Sequence, residues 1–482
     1  MNSPASRSLS PASVNLEGGA ARPDSLRSDN KSVATGHLHI LYTIIRIAPL
    51  LVVTKLAIFG RDVVVAAYFG TGDAVDAFII AFLLPSFAIS VVGGSLNVAF
   101  IPTYVGVLER DGREAAGRLL GSATFIVVAL LICLSIVLAL GAPSLMPVLG
   151  AGFGTAKIQL SCHLLNILLP VLVLAGPVAL LGGVLNAHGS FAVPALSSAS
   201  MPFMAMAFVA ISGRTAGITT LAVGMLVGGV FELLILVVAL WKGHAVSVLP
   251  KWHGVSSALL TVGDQFLPMI AGSIFMSISL VVDQAMAAAL GSGNVAALNY
   301  GGKLIGFAIG VGSVSLSAAV LPHFSRMVVR KQWASVRRTL RTYSTLIFGG
   351  SLILTAVGVS TSAKLVELMF QRGSFTSADA NIVSSVQSYY LLQLPFHLTG
   401  MLYVRFMNAL GKNRVLLVIG LVNLVVDVAG NVLLSRYLGV AGIALSTAIV
   451  YVISFSIGVV YVWTWLARAA EPRAGIAVQC ES

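Results

Sequence analysis

Basic side chains inside apolar segments are the residues of this sequence best suited to bind a charged ligand. Lys55 and Arg61 lie six positions apart in one apolar run, and Lys303 lies in a run much later in the chain. Six residues make nearly two helical turns, so Lys55 and Arg61 can line one broad helix face. An ionisable side chain inside a membrane span costs on the order of 3 kcal/mol and marks a functional position by default. These cations predict a site for an anion such as phosphate, whose oxygens a guanidinium binds in pairs.

An alternative interpretation gives Arg61 a purely structural role. Asp62 follows it directly, and Asp76 lies at the start of the next apolar run. Either carboxylate can form a buried ion pair with the guanidinium. The two interpretations differ in whether the charge of Arg61 serves a substrate or only the fold.

Oxygen-bearing side chains in the second half of the chain suggest a cation site. Asn423 and Asp427 are four residues apart and therefore share a helix face, and Asp283 and Thr447 can reach the same region. Such oxygen ligands suit a hard cation such as sodium, and a lone carboxylate suits a proton. A polar contact between helices is the alternative. Motifs of metalloproteases, phosphate-binding loops and serine hydrolases are absent from the sequence, so we predict no enzyme and no cofactor beyond a coupling Na⁺ or H⁺.

The composition requires these side chains to be positioned by membrane helices. Of 482 residues, 57% are hydrophobic and only 10% are charged, whereas a soluble domain is about a quarter charged. The apolar residues form long runs instead of the alternation of a β-barrel. We therefore predict an all-α polytopic membrane protein with about 12 transmembrane helices. The predicted spans are 40–70, 75–104, 117–145, 158–186, 190–212, 216–241, 257–290, 295–325, 338–361, 380–410, 414–436 and 440–467.

The chain repeats itself at an offset of about 220 residues. FAISVVGGSLNVAFIP at 87–102 matches FAIGVGSVSLSAAVLP at 307–322 at half of its positions. Two six-helix halves of the same direction predict two lobes with a substrate site between them, as alternating access requires. In the second half, Gly302, Gly306 and Gly310 form a GxxxGxxxG face that favours close helix packing over a hinge. The predicted segments are a disordered cytoplasmic tail (1–36), an N-terminal lobe (37–242), a C-terminal lobe (252–467) and a cytoplasmic tail (468–482).

Charge asymmetry predicts the orientation. Six basic residues crowd one loop between spans 8 and 9: Arg326, Arg330, Lys331, Arg337, Arg338 and Arg341. The loops on the opposite side carry five: Lys157, Arg214, Lys364, Arg372 and Arg436. By the positive-inside rule, both termini are predicted to be cytoplasmic. Membrane topology accounts for the net charge of +12, so we predict no nucleic-acid partner.

Several motifs resemble those of the MurJ/MviN family of lipid II flippases, within the multidrug/oligosaccharidyl-lipid/polysaccharide exporter superfamily. They are KLAIFGRD at 55–62, AAYFGTGDAVDAFIIAFLLPSF at 66–87, AFIPTYV at 99–105, LVVDQAMAAALGSGNVAALNYGGKL at 280–304, VLPHF at 320–324 and FQRGSFTSADA at 370–380. The resemblance implies a monomeric inner-membrane flippase that moves a polyprenyl-diphosphate-linked peptidoglycan precursor from the inner to the outer leaflet. It implies cavity roles for Arg61, Asp62, Asp76 and Lys303. It also implies a sodium site at Asp283, Asn423, Asp427 and Thr447.

Some positions depart from the family pattern. Lys55 replaces an Arg and Ser86 replaces an Asn, while the second span lacks the family's basic residues and Glu. The sequence also shows two fewer spans than typical lipid II flippases. The alternatives are therefore a flippase for exopolysaccharide or O-antigen repeat units, a small-molecule exporter of the MATE type, and a membrane scaffold. An exporter would favour an acid-centred, aromatic cavity over cations on the first span.

Overall fold

The computed structural model describes residues 49–50, 52–244 and 250–470, and this part of the chain contains helices and turns but no strand. The tail predicted at 1–36 lies outside these residues, as does most of the one predicted at 468–482. The first helix, α1, covers 52–69. The others are α2 (Asp73–Leu149), α3 (Thr155–Ala187), α4 (Ala192–Ser197), α5 (Ser200–Ala216), α6 (Thr219–His244), α7 (Ser257–Ala289), α8 (Asn294–Val329), α9 (Trp333–Phe370), α10 (Ser377–Leu391), α11 (Leu394–Ala409), α12 (Asn413–Leu438) and α13 (Val440–Ala470).

The apolar helices confirm the polytopic all-α class. Seven helices in the described part of the chain have the length and hydropathy needed to cross a membrane, and α7 contributes a shorter apolar segment, Ser277–Ala289. Most helix bounds lie near those of the predicted spans, but α2 joins two spans and the span 380–410 is divided between α10 and α11. The total of about 12 spans stays a prediction, because length and composition identify only these seven.

The longest helix, α2, joins two predicted spans. Its 77 residues would extend about 115 Å if straight, far beyond a hydrocarbon core of about 30 Å. Gly112, with φ of 82°, interrupts the helical backbone within the charged segment ERDGRE. The sequence predicted a loop between 104 and 117; instead, helix continues on both sides of Gly112, because charged residues outside the apolar runs still favour helix.

Helix boundaries recur along the chain at an interval of about 220 residues. The turn between α1 and α2 corresponds to the turn between α7 and α8, and the end of α2 corresponds to the end of α9. The structure thus repeats at the offset of the sequence motif. Leu259 and Val262, in the first half of α7, belong to a hydrophobic core cluster that contains residues of both halves of the chain.

Candidate functional site

Arg61 and Lys303 share one carboxylate. The Nη2 atom of Arg61 lies 2.6 Å from Oδ1 of Asp62, and the Nζ atom of Lys303 lies 2.9 Å from its Oδ2. Arg61 and Asp62 belong to α1, and Lys303 belongs to α8. The predicted pairing of Arg61 with Asp62 is therefore present, and the structure brings Lys303 to the same group from the other half of the chain.

These three side chains border a cavity of about 240 Å³ between α1, α2, α6, α7 and α8. Asp62 is 5% exposed, whereas the side chains of Arg61 and Lys303 retain 19% and 25% of their exposure. Two cations against one carboxylate leave an excess positive charge facing the cavity. The remaining lining is Val65, Val75, Phe78, Ile79, Phe82, Leu83, Ser86, Leu221, Leu280, Gln284, Asn299 and Tyr300.

Three polar residues complete this lining, and two of them, Gln284 and Asn299, were not predicted from the sequence as site residues. Gln284 on α7 is 5% exposed, and its Oε1 atom has no hydrogen-bond donor among the described residues. Asn299 lies one turn before Lys303 on α8, and Ser86 lies on α2. The cavity thus presents amide and hydroxyl groups beside its two cations.

Two other predicted substrate residues lie elsewhere. Lys55 is exposed on α1 and is not part of the cavity lining. Asp76 is fully buried, yet it also lies outside the lining. On the glycine face of α8, a Cβ at Gly302 would lie 3.7 Å from Tyr390, whereas at Gly306 and Gly310 it would meet no described atom within 4 Å.

Asp76 caps the first turn of α8 from the other half of the chain. Its Oδ2 accepts the backbone N–H of Gly293 at 2.7 Å, and its Oδ1 accepts that of Ala296 at 2.8 Å. Lys157 of α3 donates to Oδ2 at 2.7 Å and to Asp73 at 2.6 Å. The first N–H groups of a helix have no partner within it, and the helix dipole favours an anion there. The carboxylate of Asp76 supplies both the hydrogen-bond acceptors and the negative charge.

The last turn of α1 receives hydrogen bonds from the loop between α9 and α10. The backbone N–H of Ser374 donates to the carbonyl of Ala67 at 2.8 Å, and its hydroxyl donates to the carbonyl of Tyr68 at 3.0 Å. The hydroxyl of Thr71 donates to Asp379. Each half of the chain therefore satisfies helix-end groups of the other. We call these contacts of Asp76 and Ser374 the reciprocal caps.

Two glycines permit the backbones to come this close. Gly373 has φ of 60°, and a Cβ there would stand 2.1 Å from the carbonyl oxygen of Ala67. Gly293 has φ of 81°, and its Cβ would stand 2.7 Å from the carbonyl oxygen of Thr71. Both positions exclude a side chain, by backbone conformation and by lack of space.

Asp379 titrates below the ordinary carboxyl range. Partial burial tends to raise its pKa, but hydrogen bonds from Thr71 and from the backbone and side chain of Thr376 outweigh burial and lower the pKa below 3.8. Asp379 and Thr376 also form a capping box at the start of α10. The carboxylate is therefore ionised at neutral pH, the form that accepts all three hydrogen bonds.

Asp283 and Asp427, from the predicted sodium set, lie side by side in the second half of the chain. Asp283 accepts a hydrogen bond of 2.7 Å from the fully buried Asn431. Neither carboxylate oxygen of Asp427 has a hydrogen bond of good geometry to a described residue. Asn423 accepts from Ser454 at 2.6 Å. Two adjacent buried carboxylates repel, so the pair requires a shared proton or a cation. Among the described residues, no cluster of three or more His, Cys, Asp or Glu side chains forms a metal site.

Known proteins resemble this chain in sequence over most of its length. The family model described as "Lipid II flippase MurJ" matches residues 65–482. A probable lipid II flippase MurJ of Buchnera aphidicola is 26% identical over 87% of this chain and 82% of its own length. One from Synechocystis is 25% identical over 86% and 79%.

Solved structures share the fold. A lipid II flippase MurJ in an inward closed conformation has a TM-score of 0.75, with 22% identity over 88% of this chain and 90% of that one. An inward-facing MATE family multidrug transporter of the MOP superfamily has a TM-score of 0.73, with 15% identity over 87% and 96%. Together with the match of the family model over most of the sequence, they place the chain: it belongs to the MurJ family of lipid II flippases, multi-pass inner-membrane transporters and not enzymes.

Proposed function

We propose that this chain moves lipid II, a polyprenyl-diphosphate-linked glycan precursor of peptidoglycan, from the inner to the outer leaflet. The observation that carries the proposal is the meeting of Arg61 and Lys303, from opposite halves of the chain, at one cavity. A diphosphate carries about two negative charges and cannot cross about 30 Å of hydrocarbon unaided. Cations contributed by both halves stabilise it at the cavity.

Asp62 holds the two cations in place until the substrate arrives. In this structure each oxygen of Asp62 faces one cation. A diphosphate entering the cavity competes with Asp62 for the same N–H groups and presents more oxygens to them. The cations thus stay paired throughout the cycle, first with Asp62 and then with substrate.

The two lobes, 37–242 and 252–467, move relative to each other in this proposal. With both termini cytoplasmic, the reciprocal caps lie on the outer side of the membrane. They close that side while the cavity loads from within, and their opening releases substrate to the outer leaflet. The chain acts as a monomer without nucleic acid.

A cation or proton at the Asp283–Asp427 pair drives the cycle. The support is electrostatic: two adjacent buried carboxylates need a positive charge. Thr447 lies on α13, and Asn423 lies one turn from Asp427 on α12. Sodium is the cation that the four oxygen-bearing side chains suit best.

Complementation tests the substrate. We expect the chain to restore growth of a bacterium depleted of its own lipid II flippase, and the Arg61→Ala variant to fail while reaching the membrane at the same level. Rescue of a strain that lacks its O-antigen flippase, without rescue of the first strain, would instead favour lipid-linked repeat units. The uncharged residues Leu83 and Gly94 on α2 favour that second candidate.

A further inference from the structure

The amide of Gln284 is an unpaired acceptor at the edge of the cavity. The residue is 5% exposed, its Oε1 has no donor among the described residues, and it lines the same space as Arg61 and Lys303. A buried acceptor without a partner is a net cost to the folded protein. At the edge of a cavity, a bound ligand can supply the missing donor.

The chemistry of Gln284 differs from that of the two cations. A carbonyl oxygen accepts N–H or O–H donors, whereas phosphate oxygens are acceptors and need donors. The diphosphate of the substrate therefore belongs to Arg61 and Lys303, and Gln284 requires a different part of the same molecule. The sugar bonded to the diphosphate carries hydroxyl and acetamido N–H groups, which are donors.

We infer that Gln284 is a specificity-determining residue that accepts a hydrogen bond from the glycan next to the diphosphate. The inference rests on the proposed function and names the part of the substrate that this side chain recognises. Asn299, on the same cavity wall as Lys303, adds an amide that can donate as well as accept. The cavity then distinguishes a glycosylated diphosphate from a bare polyprenyl diphosphate.

Two probes test the assignment: lipid II and undecaprenyl diphosphate without sugar, each titrated against the purified full-length protein in detergent. Gln284→Met keeps the side-chain volume and removes the acceptor. We expect it to weaken lipid II binding about tenfold, the effect of one lost neutral hydrogen bond, and to leave undecaprenyl diphosphate binding unchanged. Gln284→Ala serves in the same assay if the methionine variant unfolds.

Gln387→Leu is the matched control. Gln387 is fully buried and its Oε1 likewise has no partner among the described residues, but it lies on α10 outside the cavity lining. We expect it to keep the wild-type ratio of the two affinities. Equal affinities of Gln284→Met and wild type for lipid II, or equal losses for both probes, would overturn the inference. Failure of the wild-type protein to bind or flip lipid II would reject the proposed function instead.

Discussion

Asp76 and Ala296 belong to opposite halves of the chain and are joined by a hydrogen bond of 2.8 Å between the carboxylate and the backbone N–H. The bond is buried, and Lys157 neutralises the same carboxylate from α3. A helix end in one half therefore depends on a side chain of the other half. In the proposed cycle, closure of this side of the molecule depends on that single carboxylate.

Removing that carboxylate should open the outer side. Loss of one partner of a buried ion pair typically costs 3–5 kcal/mol, so Asp76→Ala should destabilise the closed form. A cysteine at Ser86, in the cavity lining, reports the change by reaction with a membrane-impermeant thiol reagent added outside. The background lacks Cys133, Cys162 and Cys480. Glu114→Ala is the control, because Glu114 is an exposed carboxylate of α2 that pairs with Arg118 of the same helix. Equal labelling of the two variants would contradict the role of Asp76.

The cation pair should dominate substrate binding. A charge-assisted contact to phosphate is worth about 2–3 kcal/mol, or roughly 30- to 150-fold in affinity. We expect Arg61→Ala to abolish flipping in proteoliposomes. Lys303→Ala should reduce flipping less, since Arg61 still binds the diphosphate. Lys364→Ala removes an exposed charge of α9 as control. Normal flipping by Arg61→Ala would leave Arg61 as only the structural partner of Asp62.

The carboxylate pair should set the dependence of transport on a cation gradient. Asp427→Asn removes the repulsion from Asp283 and with it the need for a bound positive charge. We expect flipping by this variant to lose its response to an imposed sodium or proton gradient while the protein level is preserved. Asn423→Ala tests whether Asn423 is a ligand of the cation or only a neighbour of the site, because its amide oxygen already accepts a hydrogen bond from Ser454. Loss of folded protein in Asp427→Asn would favour a structural contact.

Orientation can be tested with two serines at opposite ends of the bundle. A cysteine at Ser377, at the start of α10, should react with an impermeant reagent added outside intact cells. One at Ser335, near the start of α9 and beside the basic turn, should react only after permeabilisation. Both positions are exposed. The reverse labelling would invert the proposed topology.

The contacts of Asp379, which lie on the outer side in the proposed topology, should resist mild acid. Its pKa is held below 3.8 by hydrogen bonds to the ionised form. A depressed pKa stabilises the folded state above the unfolded pKa, and the contribution is lost as the pH falls through the folded value. Labelling from outside of a cysteine at position 86, divided by that of an exposed cysteine at Ser377 to cancel the pH dependence of thiol reactivity, should therefore stay constant between pH 8 and about pH 5. An increase already at pH 6 would show that another group controls closure.

The sequence predicted those parts of the site that rest on charge within apolar runs. This reasoning identified Arg61, Asp62 and Lys303, because an ionisable side chain inside a membrane span is costly and indicates a functional or structural role. Gln284 was missed, since an uncharged amide beside Asp283 carries a weaker signal. Asn431 could have been predicted to lie near Asp427, because it continues the four-residue spacing of Asn423 and Asp427 on α12.

Loop contacts were beyond such reasoning. Lys157 was predicted only as a basic residue outside the membrane, and Asp76 as part of the cavity. Their meeting at the start of α8 depends on how α2, α3 and α8 pack, and spacing along the chain does not encode that. The 77-residue α2 shows the same limit, because apolar runs mark spans and do not mark where a helix continues beyond them.

The reciprocal caps have a consequence for the energy that the proposed cycle would need. When they separate, water becomes the new partner of each N–H and carbonyl, so each exchanged hydrogen bond changes the free energy by only about 0.5–1.5 kcal/mol. The few bonds involved sum to a few kcal/mol. One elementary charge moving through a membrane potential of about 100 mV supplies roughly 2.3 kcal/mol. Exchanging the hydrogen bonds at these helix ends for bonds to water therefore requires a free energy similar to that supplied by one driving ion.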